Sequence, residues 1–218
     1  MRTNILKTGV MAAALVFAAG AHGGNPSESA FTDRRDGKTY RTVKAGGNVW
    51  MAENLNYAEK GSACYGNKAE NCAKYGRLYN WETAQKVCPA GWRLPGIDEW
   101  EALVKYAGGE SAAGTKLKSK TGWKTSNDVP AGFKPNPKAE WKKGTDNYGF
   151  SALPGGFGNG RGGFANDGNG GNWWSAEDDD DYGAWGWHVS CSNEAVYGVI
   201  DVKSQEMSVR CVQDNGSK

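Results

Sequence analysis

Histidine is nearly missing from this chain: its 218 residues hold two, His22 and His188. With no Cys-x-x-Cys pair either, the chain lacks the ordinary structural zinc site, which takes four nitrogen or sulfur ligands at tight spacing. The same scarcity leaves little to activate a thiol, because a nucleophilic cysteine needs a base beside it. An excess of charge of either sign is missing too, with 26 Lys+Arg against 24 Asp+Glu. Nucleic-acid binding needs a basic footprint that this balance does not supply, and docking on an anionic membrane needs one as well. After the first residues no apolar run is long enough to cross a bilayer, so no membrane span is expected. No internal repeat of fixed period is present.

What is present begins with MRTNILKTGVMAAALVFAAGAHG. Arg2 and Lys7 form a positive start, Gly9 to Ala18 is an apolar run too short to span a bilayer, and Ala19-Gly20-Ala21 is a small-x-small cleavage pattern. Residues 1–21 therefore read as a secretory signal peptide, and the protein is expected in the periplasm, on the outer surface or outside the cell. No cysteine lies near the cleavage point to carry a lipid. Loss of Arg2 and Lys7 leaves 24 basic against 24 acidic residues, formally neutral. Residues 22–30 read as a polar linker, 31–214 as one domain and 215–218 as a tail. Thirty-two glycines predict many turns and long surface loops, and 10 Trp and 9 Tyr supply large hydrophobes with polar handles.

Along the domain, Asp36-Gly37 and Gly46-Gly47 are hairpin turns between strand formers, with Tyr40, Trp50 and Leu55 facing the core. The stretch 75–88 predicts a helix capped by Asn80, with Trp81, Ala84 and Cys88 on one face, stopped by Pro89 and Gly91. A second helix is expected over Ile97 to Tyr106, its stripe made by Trp100, Leu103 and Val104 and its end by Gly108-Gly109. Residues 112–119 add a helical turn. From Thr121 to Asn172 glycine, asparagine, aspartate and proline dominate, punctuated by Trp123, Phe133, Trp141, Phe150 and Phe164, which is long-loop composition. Strands resume at Asn172–Ser175, Ala184–Ser190, Ala195–Val202 and Met207–Val212.

All five cysteines, 64, 72, 88, 191 and 211, follow the signal, and in an oxidising compartment an odd count leaves one over. Cys64 and Cys72 bracket the loop YGNKAEN and form the obvious local pair. Cys88, in CPAGWRLPGIDEW, has two readings at this level: a reactive thiol among carboxylates, or a structural cysteine tied to a distant partner.

Several motifs in order, TDRRDGKTYRTVKAGGNVWMAENLNY, NWETAQKVCPAGWRLPGIDEWEAL, YGFSALPGGF, GNWWSAE and SVRCV, closely resemble the Fibrobacter succinogenes major paralogous domain over roughly residues 31–214. The resemblance implies an α+β, C-type-lectin-like fold: two helices packed on a twisted antiparallel sheet, with long irregular loops. It implies an exported, often surface-associated domain in a bacterium that degrades plant fibre. It also implies the pairing of Cys88 with Cys211, since the cysteine ending the helix region and the cysteine of the last strand are bonded in that fold. Cys191 is then the unpaired thiol, read first as buried and inert, with a free thiol able to bridge to another molecule as the alternative. The segment WRLPGIDEWEAL also resembles the sulfatase-modifying factors of the same fold. Their chemistry rests on two closely spaced late cysteines, however, and Cys191 and Cys211 are far apart, so no catalytic residue and no enzyme activity are expected.

Two sets of site candidates remain. The acidic run Glu177, Asp178, Asp179, Asp180 and Asp181 reads as a solvated loop tip; the second reading is a calcium site, which would relieve the repulsion of five carboxylates, and no other cofactor is expected. Among the aromatics, Trp185 and Trp187 alternate with Gly186 and so share one face of a strand. With Phe164 and Tyr182 beside the glycine-rich loops they are candidates for stacking on a flat polysaccharide, against the alternative of core packing that Trp50, Trp81, Trp92, Trp100 and one of Trp173 and Trp174 are expected to show. The leading expectation is a non-catalytic binding module for a plant-wall polysaccharide or a surface protein, working through the 121–185 loops. The alternative is a structural cell-surface protein that takes no small ligand.

Overall fold

The computed structural model describes residues 29–128 and 141–216. The signal segment 1–21, most of the 22–30 linker, Phe133 and the last two residues of the tail lie outside the described residues. The chain begins with β1 (Ser29–Thr32), β2 (Thr39–Ala45) and β3 (Asn48–Met51), a meander whose turns are those their sequences predict. Gly46 and Gly47 both have positive φ, 59° and 85°, which the two-residue loop between Ala45 and Asn48 demands. Strand β1 pairs from Ser29 onward, so the linker reading of 22–30 is too long at its end: Ser29 and Ala30 are already in the sheet.

Next come α1 (Ala69–Tyr75), β4 (Leu78–Tyr79), α2 (Trp81–Val87), β5 (Trp92–Arg93), α3 (Ile97–Tyr106) and α4 (Ala113–Leu117). The Asn80 side chain accepts the Thr83 N–H at 2.9 Å, so α2 starts at its expected cap. Ahead of that cap, residues 78 and 79 are drawn into a sheet by pairing with a distant strand. Helices are four among the described residues: α2 and α3 are the two expected, α4 is the helical turn expected over 112–119, and α1 was not expected.

The remainder is β6 (Gly155–Gly158), β7 (Phe164–Asp167), β8 (Gly170–Asp178), β9 (Gly183–Ser190), β10 (Val196–Val202), β11 (Met207–Ser208) and β12 (Val212–Gln213). The expectation of irregular chain up to Asn172 is corrected by β6, β7 and the start of β8. Glycine makes this possible as well as obscuring it. Gly156 has φ +66° and lies with its backbone against the Ala165 carbonyl, where a side chain would collide.

Two sheets form where one was expected. The smaller runs β1-β2-β3-β12-β5 and is antiparallel throughout; the larger runs β10-β9-β8-β11-β4, with β6 also on β8. The larger is mixed, since β11 and β6 each pair parallel to β8. In the middle of each sheet the strands are buried on both faces, so consecutive residues there enter different cores, while the outer strands β1 and β10 are largely exposed. Trp50 and Trp173 sit in one cluster with Trp100, Leu103, Val104 and Phe150, while Met51 and Trp174 sit in the other with Tyr79, Val87, Leu94 and Met207. Both Trp173 and Trp174 are thus core, where one was expected. Trp81 is only half-buried, its indole N–H donating to the Ser175 carbonyl at 2.9 Å.

The last strand, β12, lies between β3 and β5, so the C-terminal end of the domain completes a sheet begun at its start. Beside it the Cys88–Cys211 disulfide spans 123 residues of sequence, and Cys64–Cys72 spans eight. Just ahead of β12, Arg210 is wholly buried. Its guanidinium donates to Asn54 Oδ1 from Nη2 at 2.7 Å and Nε at 3.2 Å, to the Ser151 carbonyl at 3.3 Å and to the Phe150 carbonyl. Asn54 Oδ1 also accepts the Trp173 indole N–H at 2.8 Å, and Asn54 Nδ2 donates to the Tyr75 carbonyl at 2.8 Å. Burial pushes the Arg210 pKa down to about 9, which still leaves it charged at neutral pH.

Removal of either disulfide by paired Cys→Ala substitution lowers stability in proportion to the logarithm of the loop it closes. Cys88→Ala/Cys211→Ala is expected to cost about 5 kcal/mol and Cys64→Ala/Cys72→Ala about half as much, read from urea unfolding curves. In the buried cluster, Asn54→Leu removes the acceptor of two hydrogen bonds from the charged guanidinium and of the Trp173 indole, and is expected to cost about 3 kcal/mol or more, whereas Arg210→Met leaves only neutral acceptors unmet and costs about 1–3 kcal/mol. The same unfolding curves rank the two.

Candidate functional site

The site builds around the turn between β8 and β9. Asp180 turns the chain: its Oδ1 accepts the N–H groups of Tyr182 and Gly183 at 2.8 and 2.7 Å, and these bonds hold its carboxyl below the usual range. The turn leans on two neighbours. Lys203, just past β10, donates its backbone N–H to the Tyr182 carbonyl at 2.8 Å and its ammonium to the Asp180 carbonyl, with Asp178 at 3.5 Å. That ammonium also lies 4.6 Å from the ring centroid of Trp81, whose own backbone N–H donates to the Lys203 carbonyl at 3.1 Å. The start of α2, the β8–β9 turn and the β10–β11 turn are thereby locked together.

Between them opens a hollow of about 270 Å³ lined by Asn80, Glu82, Asp181, Tyr182, Val202, Lys203 and Ser204. Tyr182 stands at its rim 78% exposed, the most exposed large hydrophobic side chain among the described residues. One flat aromatic ring, two carboxylates, an amide, a hydroxyl and an ammonium are a set suited to a polyhydroxylated ligand, with the ring taking an apolar face and the rest its hydroxyls. Asn80, Glu82, Val202, Lys203 and Ser204 were not among the sequence candidates. They come from two turns more than a hundred residues apart, and nothing local marks them.

The acidic run is spread out rather than gathered. Glu177 Oε2 accepts the Ile97 N–H at 2.9 Å and the Ser175 hydroxyl at 2.8 Å, so it caps the start of α3. Glu99 completes that cap by accepting the Gly96 N–H at 2.7 Å, and Arg93 grips Glu99 through both guanidinium nitrogens at 2.6 and 3.1 Å. A Cβ at residue 96 would sit 2.5 Å from a Glu177 oxygen, which is why glycine stands before this helix. Asp178 faces Lys203, Asp180 closes the turn, Asp181 lines the hollow, and Asp179 gives its backbone N–H to the Gly183 carbonyl at 3.0 Å. Among the described residues no three or more His, Cys, Asp or Glu side chains converge as metal ligands would.

The aromatic candidates divide. Trp185 and Trp187 do share one face of β9: a Cβ on Gly198 would touch both rings, at 3.3 and 3.7 Å. Trp187, however, is 4% exposed and stacks on Trp100 at 5.8 Å, because α3 covers that end of the sheet; it is a core residue and not a contact for ligand. Trp185, further along, is half-buried. Phe164 is half-buried on β7 against the Tyr65 ring at 5.3 Å. No ring contact among the described residues joins Phe164, Tyr182 and Trp185, so they form no single platform. Cys191 is 4% exposed, its thiol 3.8 Å from Asn169 Oδ1, and burial raises its pKa. His188 bonds Asp201 at 2.6 Å and stacks on Tyr197.

The family model described as the Fibrobacter succinogenes major domain matches residues 43–213, most of the chain, and the chain belongs to that family. No curated protein and no solved structure matches it. No helix among the described residues is long and apolar enough to cross a membrane.

The Arg93 pair holds the Glu99 carboxyl below its ordinary value of 4.5, and the Gly96 N–H assists. A depressed carboxyl contributes stability above its unfolded pKa and loses it as pH falls through the folded one. Unfolding free energy is therefore expected to drop below about pH 4.5. Glu99→Gln should flatten part of that drop in urea titrations run across the acid range.

Proposed function

We propose that this member of the Fibrobacter succinogenes major domain family is an exported, non-catalytic binding module of C-type-lectin-like architecture. It works outside the cell or on its surface, and its ligand is a plant-wall polysaccharide held by the loops within residues 121–185 and the turns they rest on. The observation that carries this reading is the position of Tyr182. A tyrosine 78% exposed on a turn fixed by Asp180 and Lys203 presents a rigid ring beside a polar hollow. A rigid aromatic loses little entropy on binding, and the surrounding amide, carboxylates and hydroxyl can exchange water for sugar hydroxyls.

Two disulfides favour an oxidising compartment, in line with the signal-like first 21 residues. The non-catalytic reading is supported by Cys191, which is buried with its pKa raised, the opposite of an activated thiol. A protein ligand and a purely structural role form the second reading, and the edge strand β10 favours it. Tyr197, Val199, Ile200 and Val202 are all exposed there, with no lysine or proline along the strand to discourage pairing.

Retention on cellulose and xylan tests the proposal. The protein is expected to be retained on at least one, and Tyr182→Ala is expected to lose most of that retention while its unfolding curve stays unchanged. Retention by neither polymer, together with concentration-dependent association that Ile200→Lys abolishes, would replace the binding module by the structural reading.

A further inference from the structure

A second hollow, of about 270 Å³, opens where residues 120–125 meet residues 141–144. Among the described residues four lysines line it, Lys120, Lys124, Lys142 and Lys143, with Trp123 and Trp141, and no carboxylate does. We propose that this hollow binds an anionic oligosaccharide, a chain whose sugar units carry carboxylates.

The walls are held in place from below. Lys118 is wholly buried and gives its three ammonium protons to the carbonyls of Lys142, Ser190 and Asn193, at 3.0, 3.2 and 3.1 Å. It thereby ties the 142 backbone to the end of β9 and adds a fifth positive charge beneath the lysines lining the hollow. The Trp123 indole N–H donates to Ser119 Oγ at 3.1 Å and the Ala152 carbonyl at 3.2 Å, which fixes the ring, and Lys118 Nζ lies 5.5 Å from its centroid. Lys124 is set by its backbone N–H on the Gly168 carbonyl at 2.7 Å. Lys142 pairs with Glu194, which stands outside the hollow.

Charge decides the class of ligand. The chain without its first 21 residues is formally balanced, so a hollow whose charged lining among the described residues is all lysine, with Lys142 alone shown paired to a carboxylate, Glu194, is a local feature with a local field. Like charges so gathered repel, and an anion relieves them. The two tryptophans narrow the anion further. A bare phosphate or sulfate gains nothing from an indole face, whereas a pyranose ring offers an apolar face to the indoles and a carboxylate to the ammonium groups. An acidic peptide would satisfy the lysines but leave the flat indole faces without a matching ring. The site is independent of the Tyr182 hollow, with which it shares no residue.

Isothermal titration of the full chain with oligogalacturonate, neutral xylo-oligosaccharide and poly-glutamate tests this. Oligogalacturonate is expected to bind and to weaken as salt rises. Lys124→Ala/Lys143→Ala should weaken it by about tenfold or more, and Trp141→Ala should weaken it without altering the salt dependence. Tyr182→Ala should leave it unchanged, so the fate of the first hollow does not decide the second. Urea unfolding of each variant confirms that the fold is kept. The proposal is overturned by no binding of oligogalacturonate at low salt, by equal binding of the neutral oligosaccharide, by stronger binding of poly-glutamate, or by an unchanged affinity in the double lysine variant.

Discussion

One charged side chain with nowhere to go but inward organises this domain. Arg210 is wholly buried, and no carboxylate bonds it in the described structure; its partners are the Asn54 amide oxygen and the carbonyls of Phe150 and Ser151. A guanidinium brought out of water requires its donors to be met, so the segments carrying those acceptors must arrive in one arrangement. Asn54 follows the β2–β3 hairpin, Phe150 and Ser151 belong to the long middle segment, and Arg210 precedes the closing strand β12. The motif YGFSALPGGF is the backbone solution to that demand. Ser151 takes φ +51° and is held there by Asp146, which accepts its N–H at 2.7 Å and its hydroxyl. The Phe150 ring then lies 4.4 Å from the guanidinium carbon, so charge and aromatic core meet at one place.

From this centre the sheets inherit their two-sided burial. A strand that must fill cores on both faces cannot alternate apolar with polar, and Trp173-Trp174 and Trp50-Met51 are the visible result. The tryptophans therefore serve packing before anything else, and Trp187 shows how far this extends. Its stacking on Trp100 fixes α3 to the sheet, leaving the rim turns to carry what the surface does. Those turns are rigid because backbone donors are spent on them: Asp180 on the β8–β9 turn, and Glu177 and Glu99 at the start of α3.

Much of this was legible in the residues where local chemistry decides. The glycine pair 46–47, the cap Asn80, and the Trp100/Leu103/Val104 stripe act within a few positions, and the elements follow them. The two-residue strands β4 and β5 were not legible, because so short a strand has no period and exists only through its partner, and the single strand expected over Met207–Val212 is split by its partners into β11 and β12. Helix α1 was missed for a related reason, since AENCAKY buries only Cys72 and Tyr75 and is pinned at its middle by a disulfide. The aromatic candidates went wrong at Trp187 because alternation tells which residues share a face, and only packing tells whether that face is covered.

The lysine-lined hollow exposes a different limit. Overall balance, 24 against 24 after the first 21 residues, describes the surface as a whole. It says nothing about a concave patch built from two segments, KSKTGWK and WKK, that the fold brings together. Field strength in a cleft depends on which charges face one another and how much low-dielectric wall surrounds them, not on the total. Here the buried Lys118 sets that geometry: the carbonyls it collects from residues 142, 190 and 193 are what draw the second segment against the first. A buried cation thus recurs as the device that shapes loops, Arg210 for the core and Lys118 for the rim, and in the second case it also strengthens the field its neighbours present to solvent.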